Sequence, residues 1–198
     1  MNFEQALIDN EIVILSPNDP FTWASGIKSP IYCDNRMILS NVQLRNYVID
    51  KLVEMVGLYY PNVDAILGTS TAGIPHATLV GDRMKLPVGY VRGGAKKHGR
   101  GKQVEGVDVA GLNVVVIEDL ISTGGSVLEV VDVLQGNGAN VLGVCGIFTY
   151  DLQKADVVLK NVDYHTISSI SDLLKHVEAT NSLDFEQINV VKSFLSEL

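Results

Sequence analysis

Apolar positions along the chain keep two different periods, and the two alternate. Short runs with little polar interruption read as strands buried on both faces: "DAILG" (64–68), "PVGYV" (87–91), Val114–Ile117 within Asn113–Glu118, and "NVLGVCGIF" (140–148). "EIVIL" (11–15) and "YHTISSI" (164–170) add two more. Between them the period is helical. Asn2–Asn10 has a short helical pattern. Ser40 is placed to cap a helix whose Val48, Ile49, Leu52, Val53 and Val56 share one face. Gly73–Lys85 reads as a helix, and Gly124–Gln135 repeats Val127, Val130, Val131 and Leu134 at i, i+3, i+4 and i+7, with Gly136 or Gly138 to end it. A last helix from about Asp184 carries Ile188, Val191, Leu195 and Leu198.

Strands alternating with helices predict an α/β fold, a central and mainly parallel sheet flanked by helices. Ligands of such sheets bind beyond the carboxyl ends of the strands. No repeat, low-complexity tract or linker divides the chain, so residues 1–198 are expected to form one domain. Pro17, Asp19–Pro20 and Ser29–Pro30 punctuate an irregular N-terminal segment that runs to Arg36.

Composition narrows the function classes. The chain is 46% hydrophobic and 19% charged, the balance of a globular protein. No apolar run reaches the roughly 18 residues of a membrane span, and the first residues lack a basic stretch and long apolar core, so no secretion signal is expected. Cys33 and Cys145 form no CxxC and read as reduced thiols, which predicts a cytoplasmic protein. The net charge of −8 argues against a nucleic-acid coat. Yet Arg83, Lys85, Arg92, Lys96, Lys97, Arg100 and Lys102 follow one another with no acid between them. One basic segment on an acidic protein suits a small anion better than a polymer.

The chemistry sits after the strands. "EDLISTGGS" (118–126) places two acids ahead of a turn that leads into a helix. Free N–H groups and the helix dipole there favour a phosphate. Gly124 and Gly125 permit close approach, and Ser122, Thr123 and Ser126 add hydroxyl donors. Glu118 and Asp119 cannot serve the same phosphate; they suit sugar hydroxyls or a magnesium ion bound through water. A phosphorylated ribose fits both halves. "GTSTAGIPHA" (68–77) also follows a strand, with small residues and hydroxyls free to wrap an anion, while His76 is expected to belong to helix packing. In "YVRGGAKKHGRGKQVEG" (90–106), Arg92, Lys96 and His98 lie on a glycine-rich loop suited to closing over an anionic substrate. In "FTWASGIKSPIYCDNR" (21–36), a Ser-Gly turn can face a planar base edge and Lys28 can meet a carboxylate or a diphosphate.

The nine residues 118–126 resemble the phosphoribosyl-diphosphate signature of type I phosphoribosyltransferases. The loop at 90–106 and the segment at 21–36 resemble the catalytic loop and N-terminal hood of the orotate phosphoribosyltransferases. The resemblance implies that Glu118, Asp119, Leu120, Ile121, Ser122, Thr123, Gly124, Gly125 and Ser126 bind the phosphoribosyl group, with Ser122 also near the base. It assigns Thr69, Ser70, Thr71, Ala72 and Gly73 to the diphosphate, Lys28 to substrate, and catalysis to Lys96, Arg92, His98 and Asp119. Residues 1–38 would supply the hood. Magnesium would be the cofactor, held through substrate and water rather than by a protein cage. A homodimer sharing its active sites would be expected, with no nucleic-acid or membrane partner. Two departures stand out: Gly93–Gly94 occupies the place of a second loop lysine, and "TYDLQKA" (149–155) has no arginine where longer members anchor the orotate carboxylate. That anchor is expected in the hood instead.

The implied reaction is transfer of a 5-phosphoribosyl group to orotate in pyrimidine biosynthesis. The alternatives are an enzyme for another base and a non-catalytic sensor of phosphoribosyl diphosphate that regulates transcription. The hood stretch speaks against the first, and the basic loop together with the acidic balance against the second.

Overall fold

The computed structural model describes residues 1–22, 26–93 and 103–198. The chain opens with α1 (Phe3–Asp9), capped by Asn2, and β1 (Val13–Leu15). Then come β2 (Phe21–Thr22), β3 (Lys28–Ser29), β4 (Ile31–Cys33) and a 3₁₀ turn (Asn35–Ser40). β1 pairs antiparallel with β4, and β2 with β3. The punctuated N-terminal segment is thus two small ribbons. Ile12, Val13 and Ile31 of this segment, and Ile38 of the 3₁₀ turn, are buried in the main core.

α2 (Val42–Tyr59), β5 (Ala65–Thr69), α3 (Gly73–Met84), β6 (Val88–Val91) and β7 (Val104–Glu105) follow. The cap of α2 is Asn41, not Ser40: its side chain accepts from the N–H groups of Gln43 and Leu44, both at 3.1 Å. Ser40 Oγ turns back to Met37 O and closes the 3₁₀ turn. β8 (Asn113–Ile121), α4 (Gly125–Gly136), β9 (Asn140–Thr149), α5 (Gln153–Val158), β10 (Tyr164–Ser169), α6 (Ile170–Ala179) and α7 (Phe185–Ser196) complete the order.

The main sheet has six strands in the order β10-β9-β8-β5-β6-β7, parallel except for β7, which runs against β6. Period-two alternation along the strands sends side chains to opposite faces. Ile66, Val115, Ile117 and Ile147 meet α2, α3, α6, α7 and the hood, while Leu67, Val114, Val116 and Val144 meet α4 and α5. On the first face α2 alone buries Leu44, Val48, Ile49, Leu52 and Val56, each worth about 1.5–3 kcal/mol of burial.

β8 is longer than its apolar run suggests. Glu118 to Ile121 continue the strand, since Glu118, Leu120 and Ile121 pair with Gly146, Phe148 and Thr149 of β9. Pairing with β5 ends earlier, at Gly68–Ile117. The two acids therefore sit on strand backbone where β8 has lost one neighbour.

Candidate active site

Both loops singled out above lie at the carboxyl end of the sheet and lead into helices that begin without a side-chain cap. α3 starts behind Ala72 and α4 behind Gly124, and neither has an acid in its first turn. α1, α2, α6 and α7 start under Asn2, Asn41, Ser169 and Asp184, while α5 also lacks a side-chain cap but has Asp156 in its first turn. Uncapped starts keep N–H donors and the positive end of the dipole open to an anion. Two glycines make this geometry possible. Gly124 has φ +80°, and a Cβ there would also press on Leu159. A Cβ on Gly73 would run into Ile117 O and Thr69 Oγ1, so only glycine lets α3 start this close to β8.

Between the two helix starts lies the acid pair, whose members are not equivalent. Glu118 is buried, 5% exposed; Asp119 is partly exposed. Thr69 Oγ1 donates to Glu118 Oε1 at 2.6 Å, and the Asp119 N–H donates to the same oxygen at 2.9 Å. Burial first, then the neighbouring Asp119, push the Glu118 carboxyl well above the usual carboxylate range. Glu118 thus ties the end of β5 to the Asp119 backbone.

The hood reaches the pair directly. Asn35, 1% exposed, donates its Nδ2 to Asp119 O at 2.6 Å. Burial raises the Cys33 thiol far above its ordinary value, with the charge of Asp119 adding to it. From α3 comes His76, fully buried as expected of a packing residue. Burial lowers its pKa to about 4, against a smaller opposing pull from Asp119.

Some of the expected site residues come together. Thr69, Ser70, Arg92, Gly93 and Ser126 line one small cavity. Ser70 Oγ donates to Val91 O, and Ile74 N donates to Thr71 O at 3.4 Å, which shapes the turn through Ala72. The Arg92 guanidinium is 3.7 Å from Glu105 on β7. Ser122 and Thr123 are partly exposed, Gly125 and Ser126 exposed. Leu120 and Ile121 turn their side chains into the core, one on each face of the sheet, which leaves them only backbone to offer. Lys28 is exposed and donates to Thr22 Oγ1 at 2.5 Å, within the β2–β3 ribbon. Lys96, His98 and the second glycine of Gly93–Gly94 lie outside the described residues, as does Ser25 of the hood's Ser-Gly turn. The sequence reading gave Asn35 no role, although it stands within the hood motif; its contact with Asp119 spans 84 positions and has no local signature.

A phosphoribosyl transferase domain model matches residues 36–181. The orotate phosphoribosyltransferase of Staphylococcus epidermidis is 45% identical over 199 residues, covering 100% of this chain and 98% of that one. The chain belongs to the orotate phosphoribosyltransferases. The family member from Streptococcus agalactiae is 46% identical over 190 residues, with 95% of this chain and 91% of that one covered. Among solved structures, the orotate phosphoribosyltransferase of Aeropyrum pernix superposes with a TM-score of 0.79 at 27% identity, over 89% of this chain and 98% of that one. Leishmania donovani UMP synthase gives 0.82 at 27%, over 99% of this chain and 42% of the longer one.

Proposed function

We propose that the chain transfers the 5-phosphoribosyl group of phosphoribosyl diphosphate to orotate, giving orotidine 5′-phosphate and diphosphate in pyrimidine biosynthesis. The observation that carries the reading is the acid pair set between two uncapped helix starts. That arrangement fits a ligand with a phosphate at one end, a diphosphate at the other and hydroxyls between. The α4 start, with Ser122, Thr123, Gly124, Gly125 and Ser126, takes the 5-phosphate. The α3 start, with Thr69, Ser70, Thr71, Ala72 and Gly73, takes the diphosphate. The backbone of Leu120 and Ile121 carries the acids to their place.

In the reaction the bond from the anomeric carbon to the diphosphate oxygen breaks, its electron pair leaving with the diphosphate. A bond forms from a ring nitrogen of orotate to the same carbon. Positive charge grows on the ribose while negative charge departs, so both signs must be fixed beforehand. Asp119 faces the growing cation and the ribose hydroxyls, held by the Glu118 bond on one side. Arg92, Lys96 and His98 offset the departing charge, and Lys28 meets substrate from the hood. The donor set fits magnesium brought in on the substrate: Asp119 offers a partly exposed carboxylate, and this ion is commonly held by one or two carboxylates, phosphates and water. When bound it would neutralise diphosphate charge.

Arg92 lies at the rim of its own chain's site, so we assign any reach into a second subunit to Lys96 and His98. A homodimer with shared sites then predicts that mixing the impaired Lys96→Ala and Asp119→Asn proteins raises activity well above that of either alone. Among the described residues no helix is long and apolar enough to cross a membrane. The cytoplasm, without nucleic-acid or membrane partners, is the setting we propose. The deciding experiment follows orotate absorbance with phosphoribosyl diphosphate and magnesium, beside uracil, adenine and hypoxanthine. Turnover with orotate alone is expected; turnover with another base instead would overturn the assignment.

A further inference from the structure

Beyond Ile117, β8 has no β5 partner, yet both backbone groups of Asp119 are satisfied, and both by side chains. Its N–H goes to Glu118 Oε1 and its carbonyl receives Asn35 Nδ2. A buried carbonyl needs a donor, but this one comes from the hood, the segment that reads the base. Asn35 is itself held in place. The Asp34 N–H donates to Ile12 O at 2.8 Å, and the Asp34 carboxylate receives the Arg36 N–H at 3.2 Å, Nε at 2.6 Å and Nη2 at 2.7 Å. The bracket Asp34–Arg36 holds the backbone on either side of Asn35. Its other end, Oδ1, is buried without a hydrogen-bond partner among the described residues, as are both ring nitrogens of His76. The amide's paired contact is the one to Asp119.

We infer that Asn35 is a positioning residue that registers Asp119 against the hood, so that the base site and the ribose acid move as one unit. The inference rests on the proposed reaction, in which the hood holds orotate and Asp119 faces the ribose. A hood displaced by even a fraction of an ångström would shift the strand end through this bond, and misplaced transition-state contacts cost rate more than binding. Affinity for the phosphate end depends on the α4 start, several residues further along, and should not feel the change.

Asn35→Leu removes the donor at similar volume; Asn35→Asp replaces it with a group that donates only when protonated. The charged or titratable groups around the joint are Cys33, Asp34, Arg36, Glu118, Asp119 and His76. Each variant is therefore compared with the parent at every pH. Turnover with orotate, binding of ribose 5-phosphate by calorimetry and thermal unfolding are measured on all three proteins. Asn35→Leu should lose about tenfold or more in kcat, the scale of one lost transition-state contact. Ribose 5-phosphate also meets Asp119 through its hydroxyls, so its affinity should fall, but clearly less than kcat does. Asn35→Asp should regain relative kcat as pH falls and its carboxyl protonates. If Asn35→Leu does not fold, the pH course of Asn35→Asp decides alone. Parent-like kcat in either variant at all pH values overturns the inference. So does loss of ribose 5-phosphate binding in step with kcat, or an Asn35→Asp deficit that ignores pH. A parent inactive with orotate would sink the functional reading itself, which separates the two failures.

Discussion

At the scale of single residues, the two acids differ in kind although they are neighbours. Glu118 is buried and bonded to Thr69 and to the Asp119 backbone, whereas Asp119 is partly exposed. Nothing in the dipeptide distinguishes them; what does is burial and the two bonds that Glu118 Oε1 accepts. Asp119→Asn should therefore lower kcat by about a hundredfold, since it removes the charge facing the ribose cation. Thr69→Val, which takes one bond from Glu118, should cost less, about tenfold. Steady-state kinetics with orotate would rank them, and equal losses would contradict the division of roles. Lys96→Ala belongs to the same series: a group that meets the departing diphosphate should be worth on the order of 3 kcal/mol, about a hundredfold in kcat. Parental turnover in that variant would remove Lys96 from the catalytic set.

Elements, rather than residues, make the phosphate sites, because what α3 and α4 offer is their unpaired first-turn N–H groups. A carboxylate placed there competes with the ligand for the same dipole. Ser126→Asp adds one in the first turn of α4, at an exposed position. It should leave the empty protein as stable or up to about 1 kcal/mol more so, while weakening phosphoribosyl diphosphate binding by at least about tenfold through like-charge repulsion. Thermal melts with and without ligand would show the two effects in opposite directions; a variant destabilised and still binding would refute the helix-start argument. These elements were the legible part of the sequence, since buried strands and amphipathic helices announce themselves by period. α5, α6 and β7 were missed. α6 follows β10 with no turn between, Ser169 serving as its cap, so the strand-like reading absorbed Ile170. β7 is two residues inside a glycine-rich basic loop and exists only by pairing with Tyr90 and Val91. The Asn41 cap and the Asn35–Asp119 bond were illegible for a common reason: each depends on where a side chain points after folding, and competing donors or acceptors stood next to it in sequence.

At the scale of the whole molecule, buried Glu118 and His76 affect stability with opposite signs. Burial raises Glu118 from the ordinary 4.5 to about 8 and lowers His76 from 6.5 to about 4. Below pH 4.5 Glu118 is protonated folded or unfolded. As pH rises from there, the unfolded chain ionises it while the folded chain keeps the proton, so stability falls until about pH 8. His76 is neutral in both states above pH 6.5, and as pH drops below that the unfolded chain takes up a proton the folded chain refuses, so stability falls toward acid. Between pH 4.5 and 6.5 the two slopes oppose and largely cancel; above 6.5 only Glu118 acts. Each group contributes about 1.4 kcal/mol per pH unit inside its window, or about 2 kcal/mol between pH 6.5 and 8 for Glu118. Glu118→Gln keeps the shape and cannot ionise, so the difference in unfolding free energy between variant and parent should grow over that range in the variant's favour. Below pH 4.5 the difference should be flat. Urea titrations of the ligand-free proteins at half-unit pH steps would measure it. A difference that stays constant from pH 6.5 to 8 would mean that Glu118 is already ionised in the folded protein. The acid pair would then meet the ribose with two charges rather than one.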